Sequence, residues 1–266
     1  MRRYIDAHIH LDAYEEGARQ SFMERLSADG IDGVVAVSTT LASCKATREL
    51  AQRFPGRVYP AYGYHPERPL PSDQELRELL EWMDLHKSGM TAVGEVGLPY
   101  YTRTEAEARG DRFDISPYVD LLEQFVRLAA EWDKPIVLHA VYEDADIACG
   151  LLEKYNVRRA HFHWFKGSAA TVERMSRNGY FVSFTPDILY EQEIEQLARV
   201  YPLEQIMAET DGPWPFEGPF RGQMTEPRMV AAVAGKLAEI KNLGAETVAE
   251  TLLHNTRAFY RLQPAG

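Results

Sequence analysis

The chain has 266 residues and carries 29 Lys and Arg against 40 Asp and Glu, a formal charge of −11 with histidine neutral. That balance excludes a broad basic surface that would grip nucleic acid through its phosphates, though not a locally positive site. A hydrophobic fraction of 45% and a charged fraction of 26% exclude disordered and collagen-like classes and leave ample apolar side chain for a large core.

The pattern predicts a strand over residues 4–10, a helix over 21–28, and a fully apolar strand over 33–38 of the kind buried in parallel sheets. A helix over 42–54 and a strand over 58–64 follow. Residues 73–86 read as an amphipathic helix, with Leu76, Leu79, Leu80 and Met83 at helical spacing. The fourth strand spans 91–98. After an irregular stretch comes a helix over 117–132, with Ser116 as N-cap and Pro117 in its first turn. Strands over 135–141, 158–165, 180–185 and 205–211 alternate with helices over 143–155, 168–178 and 190–201, and helices over 226–241 and 245–260 end the chain. Eight strands, each followed by a helix and with no linker, predict a single (β/α)8 TIM barrel covering 1–266. The alternative is a doubly wound open sheet, disfavoured because no glycine-rich phosphate turn follows the first strand. The interruption at 100–115, rich in charge, would lie on the catalytic face as a lid or as a passive solvated loop.

No apolar run reaches the about 18 residues needed to span a bilayer, and the N-terminus turns acidic at Asp6 before a signal-peptide core could form. The expectation is an uncleaved cytoplasmic protein with no membrane partner. Cys44 and Cys149 stand far apart, which suits a reducing compartment, and read as small buried helix residues rather than nucleophiles.

Six of the 8 histidines fall within or at the ends of predicted strands: His8, His10, His65, His139, His161 and His163. In the first strand Asp6, His8 and His10 share one face by period 2, while Ile5, Ala7 and Ile9 share the other. The apolar set is expected to face the helices and the polar set the barrel interior. Two buried imidazoles and a carboxylate need partners there, which a divalent cation provides. Glu95, between Gly94 and Gly97 at the end of the fourth strand, is costly in a core unless paired or metal-bound, and its two oxygens can bridge two cations. His139 ends an apolar strand, as a ligand or as a satisfied core histidine. Of the second His-x-His pair, His163 at the rim reads as the ligand and His161, one layer deeper, as an interior residue or one that backs a ligand. Glu209 and Asp211 share a face. Asp211 at the rim suits metal binding and proton acceptance, while Glu209 suits orientation of a ligand histidine. His86 and His254 lie on helices, away from this set. Trp82 and Trp132 read as packing; Trp164 and Trp214 flank ligand-bearing strand ends, as pocket walls or as packing.

Asp6-Ala7-His8-Ile9-His10-Leu11-Asp12, Gly63-Tyr64-His65-Pro66, Gly94-Glu95-Val96-Gly97-Leu98, Val137-Leu138-His139, His163-Trp164-Phe165-Lys166-Gly167 and Glu209-Thr210-Asp211-Gly212-Pro213 occur in that order. Together they resemble the TatD family of metal-dependent hydrolases, which belongs to the amidohydrolase-type barrels, and the likeness runs on to Asn255-Thr256-Arg257-Ala258-Phe259. The resemblance implies a two-metal hydrolase, commonly a deoxyribonuclease, that holds zinc, magnesium or manganese. By position it implies that His8, His10 and Asp211 hold one ion, that His139 and His163 hold the other, and that Glu95 bridges them. His65 would line the pocket and meet substrate or a group behind the ligands. Three positions depart from the family pattern. Pro99 stands where an acid is usual, Val141 where an Arg is usual, and Thr225 where an Asn is usual; the ligand set is intact, but an Arg suited to phosphate is gone.

The expected chemistry is attack by a metal-activated water whose proton Asp211 accepts. The first reading is phosphodiester hydrolysis of DNA. The alternative is hydrolysis of a small amide, lactone or ester, which the departures at Pro99 and Val141 favour. A silent, metal-storing barrel is a third reading, against which the intact ligand set speaks.

Overall fold

Val34, Val35, Ala36 and Val37 are all fully buried, which a strand achieves only in a sheet covered on both faces. The computed structural model describes residues 2–262. It has one eight-stranded parallel sheet whose strands follow chain order: β1 Tyr4–Ile9, β2 Ile31–Ala36, β3 Val58–Tyr62, β4 Ala92–Gly97, β5 Ile136–His139, β6 Ala160–Phe162, β7 Phe181–Phe184 and β8 Ile206–Ala208. Around it lie α1 Glu16–Arg25, α2 Leu41–Arg53, α3 Asp73–His86, α4 Tyr100–Ala108, α5 Ser116–Glu131, α6 Asp144–Lys154, α7 Ala169–Arg177, α8 Gln192–Val200, α9 Val230–Lys241 and α10 Ala245–Tyr260. This is the predicted parallel barrel within its ring of helices. Among the described residues no helix is long and apolar enough to cross a membrane. Cys44 and Cys149 are free and buried in α2 and α6, as expected.

Local chemistry accounts for both the agreements and the differences. The bounds of α3 coincide with expectation because Ser72 and Glu75 form a reciprocal capping box. Helix α1 begins earlier than predicted, and with only Phe22 and Met23 buried its apolar period carries little signal. Helix α5 starts at Ser116 itself, whose N–H donates to Asp114 Oδ1 at 3.0 Å; the expected Ser116 cap is absent. The expected helix over 226–241 begins at Val230, after a short 3-10 turn over Pro227–Met229. The largest departure is α4, which occupies most of the stretch read as irregular.

The first strand also corrects the sequence reading. Ile5 and Ala7 do not face the helices. They join Val35, Ala61, Ala92, Val137 and Met207, from five other strands, in a cluster closed by Phe259 and Tyr260 of α10. Residues from so many strands of one closed sheet can touch only inside the barrel. Ile9 packs in the outer cluster with helix residues. The phase changes because the β1–β2 register shifts between Asp6 and Ile9, so strict alternation fails where His8 turns inward. Asp6 instead serves the seam between first and last strands. Its Oδ1 accepts from the N–H of Thr210 at 3.0 Å and of His8 at 3.3 Å, and its Oδ2 accepts from Thr210 Oγ1 at 2.5 Å. Backbone bonds from Asp211 N to His8 O (3.0 Å) and from His10 N to Gly212 O (2.8 Å) complete the closure.

Burial pushes the Asp6 carboxyl well above its usual range, against the hydrogen bonds from Thr210 and His8. Removing it leaves buried donors unpaired, so Asp6→Ala should cost about 1–3 kcal/mol of stability in chemical denaturation. Asp6→Asn keeps an acceptor and should retain most of that stability.

Candidate metal centre

Six of the strands, β1, β3, β4, β5, β6 and β8, carry polar side chains at or just beyond their ends, next to an apolar cluster that includes Ile5, Ala7, Val137 and Met207. Glu95, 0% exposed, stands at the centre. Its Oε2 lies 3.2 Å from His8 Nε2 and 3.3 Å from His10 Nε2, and both imidazole nitrogens also face Asp211 Oδ1, at 3.4 and 3.3 Å. Its Oε1 faces His65 Nε2 at 3.2 Å, His139 Nδ1 at 3.1 Å and His163 Nε2 at 2.8 Å; His139 Nδ1 and His163 Nε2 are 3.2 Å apart. The two oxygens of one carboxylate thus divide the histidines into two groups. Imidazoles of His8 and His163 stack at 3.8 Å across the division.

Divalent metal suits this donor set on two observations. First, His8 Nε2, Glu95 Oε2 and Asp211 Oδ1 are buried and lack a hydrogen-bond partner although they lie close together. Such atoms are costly unless a cation satisfies them. Second, an ion held tetrahedrally at about 2.1 Å from each donor needs donors about 3.4 Å apart. The four measured separations among His8, His10, Glu95 and Asp211 fall at 3.2–3.4 Å. Three compact donor groups meet here: His8 with Glu95 and His163, His8 with His10 and Asp211, and His10 with His65 and Glu95.

The hydrogen-bond network sets the tautomers of the outer histidines. The Glu67 N–H donates to His65 Nδ1 at 3.2 Å, so neutral His65 carries its proton on Nε2 and donates toward Glu95. Burial lowers the pKa of His65 despite Glu95, which keeps this imidazole neutral. His139 is arranged the other way: its Nε2 faces Glu67 Oε1 at 3.2 Å, which leaves the Nδ1 lone pair for the cluster. Glu67 in turn accepts the N–H groups of Tyr101 (2.9 Å) and Thr102 (2.8 Å) at the start of α4. Although burial opposes it, His139 and Thr102 hold the Glu67 carboxyl down at about 2. Sequence reading missed Glu67; an acid two residues beyond His65, past the mouth of β3, was the available signal.

Below the cluster a directional chain runs from Tyr260 OH to His161 Nδ1 (2.7 Å), from His161 Nε2 to Ser183 Oγ (2.5 Å) and from Ser183 to Glu209 Oε2 (2.5 Å). Burial holds His161 well below its ordinary pKa, with His8 and His163 acting in the same direction, so it is a neutral link. Glu209 Oε1 accepts the Trp164 N–H at 2.9 Å and faces His163 Nδ1 at 3.6 Å. Burial opposes ionisation of His10 and His163, yet the carboxylates of Asp211 and Glu95 raise His10 to about 10, and those of Glu95 and Glu209 raise His163 well above its ordinary value. Asp211 is held well below the carboxylate range by His10 and His8 despite its burial. The cluster opens into a cavity of about 1100 Å³ lined by Asp12, Glu67, Arg68, Tyr101, Glu105, Val141, Trp164 and Trp214, among others. His86 and His254 lie on α3 and α10, outside it.

Comparison with known proteins shows the family. The family model described as TatD related DNase matches residues 5–261. A protein of Haemophilus influenzae described as an uncharacterized metal-dependent hydrolase is 42% identical over 258 residues, covering 97% of this chain and 99% of the other. A human deoxyribonuclease is 26% identical over 259 residues, covering 94% of this chain and 92% of the other. The crystal structure of YjjV, a TatD homologue from Escherichia coli, aligns with a TM-score of 0.83 at 26% identity, covering 98% of this chain and 99% of that one.

Histidine binds a metal ion only when neutral at the donor atom, so binding must displace protons. With His10 at about 10, uptake of a divalent ion at pH 7 should release protons, and affinity should rise with pH until release ceases near that value. Calorimetry in buffers of differing ionisation enthalpy measures the proton count. Glu67→Gln should lower metal affinity by roughly 10–100-fold, read by competition with a chromophoric chelator.

Proposed function

The chain belongs to the TatD family of metal-dependent hydrolases, and on that premise we propose that it hydrolyses a small ester, lactone or amide in the mouth of its barrel. The observation that carries the choice of a small substrate is the lining of the cavity. Arg68 is its single Arg or Lys, against Asp12, Glu67, Glu105 and Asp211. Val141, where the family pattern has an Arg, contributes an apolar wall. Beyond the divalent ions that the ligand set would hold, a polyanion meets little there to offset its charge. The second reading, cleavage of DNA phosphodiester bonds, is favoured by the family's description and by the human relative's name.

In this reading residues 1–266 form one catalytic domain with two divalent ions. His8, His10 and Asp211 would hold one, His139 and His163 would hold the other, and Glu95 would serve both. The preponderance of imidazole favours zinc or manganese over magnesium, which prefers oxygen ligands. Divalent ions bound there would supply Lewis acidity, which lowers the pKa of water and polarises a scissile group. The chain's own residues do the rest. Asp211 accepts the proton of the attacking water and returns it to the leaving group. His65, neutral and with its proton on Nε2, lines the cavity and donates to Glu95, and Glu209 orients His163 from below.

Glu95→Ala should remove most bound metal and lower kcat/KM by more than about a thousandfold while the fold persists; metal analysis, circular dichroism and turnover check the three parts. Asp211→Asn should lower kcat by about 10²–10⁴-fold. Turnover of esters, lactones or amides without cleavage of labelled single-stranded DNA supports the first reading, and the reverse supports the second.

A further inference from the structure

The mouth of the barrel exposes large aromatic side chains that the ligand set does not require. Trp214 is 58% exposed and Tyr101 is 45% exposed, and both line the cavity with the half-buried Trp164. Isolated exposed apolar residues need no explanation, but a group of them around one opening marks a binding surface. These positions are fixed to the reacting centre. Trp164 directly follows His163, Trp214 stands three residues after Asp211, and Tyr101 donates its N–H to the carboxylate that faces His139. Tyr101 follows β4 and Trp214 follows β8, strands that stand opposite one another in an eight-stranded barrel.

The tryptophans are also held in place. The Trp164 indole N–H donates to buried Asp187 Oδ2 at 2.5 Å, and its backbone N–H is held by Glu209. Trp164 meets Trp214 edge to face at 6.0 Å and is backed by Phe216 at 5.6 Å. The Trp214 N–H donates to Asp211 O at 3.1 Å, and its carbonyl accepts from Thr225 Oγ1 at 2.5 Å. Thr225 is fixed in turn by Tyr14, whose hydroxyl donates to its carbonyl at 2.8 Å. Thr225, a position that departs from the family pattern, thus anchors an aromatic wall. Surfaces ordered before binding lose less entropy when a ligand arrives.

We infer that Tyr101 on one side and Trp164 with Trp214 on the other form a slot for an uncharged aromatic or heteroaromatic group of the substrate, set beside the scissile bond. An aromatic ring gains offset-stacked or edge-to-face contact with these walls. Asp12, Glu67 and Glu105 at the same mouth disfavour an anionic substituent on that ring. This inference rests on the small-substrate reading and narrows it to aryl-bearing esters, lactones and amides.

The test compares benzohydroxamate with acetohydroxamate, two metal-chelating probes that differ in the ring, on the zinc-loaded protein, with affinity read from quenching of intrinsic tryptophan fluorescence and by calorimetry. The aryl probe should bind about tenfold more tightly than the alkyl probe. In Trp214→Ala that ratio should fall to near one, and in Trp214→Phe it should survive, with thermal melts confirming that both variants fold. A ratio near one in the wild type, a ratio untouched by Trp214→Ala, or failure of both probes to bind overturns the slot. So does a Trp214→Ala effect confined to a single-stranded oligonucleotide. Turnover of the ester and lactone panel is scored separately. A protein that turns over the panel with a ratio near one keeps the small-substrate reading and loses the slot, whereas one that keeps the ratio but cleaves only DNA keeps the slot and loses that reading.

Discussion

One buried carboxylate organises this molecule. Glu95 is enclosed by five imidazoles, drawn from β1, β3, β5 and β6 or the residues just beyond them, and its two oxygens serve different sets. A lone buried carboxylate would be ruinous to stability. Burial opposes its ionisation, yet His65, His163 and His8 hold it well below the usual carboxylate range. The strands must therefore present their histidines at matching heights, and that demand reaches every layer beneath.

The supports lie on three sides. On one side Asp6 locks β1 to the end of β8, so that His8, His10 and Asp211 share one corner. Below, Tyr260, His161, Ser183 and Glu209 form a chain in which each donor points one way, a polar column rising through an apolar floor. Fully satisfied buried networks of this kind specify one arrangement, because any slip leaves a polar atom without a partner. On the outer side, Glu67 ties the orientation of His139 to the first turn of α4. Arg103 of α4 then reaches Asp144 at 2.8 Å and Glu143 at 2.9 Å, joining two loops of the same face.

The barrel was legible because its signals are local: apolar runs of strand length alternate with helical periods, and polar residues appear where strands end. The histidines and acids were legible for the same reason, since a His or Glu closing an apolar strand such as that of His139 is conspicuous. What escaped is set by contacts distant in sequence. The β1 phase shift depends on β8 and β2 as well as on the first strand's own alternation. Helix α4 buries only Ala106, and its start is satisfied by a carboxylate from the β3 loop, so neither period nor cap announces it. Glu67 itself looked like an ordinary loop acid until the fold set it behind His139.

The donors grouped at the β1–β8 corner stand far apart along the chain, with Asp211 about 200 residues after His8 and His10. Tyr260, the foot of the polar column, is made later still. During synthesis the two histidines therefore wait for the strands between them and Asp211 before that donor set can exist. A nascent chain lacks the geometry that brings these donors together, which arrives only with the closing of the ring.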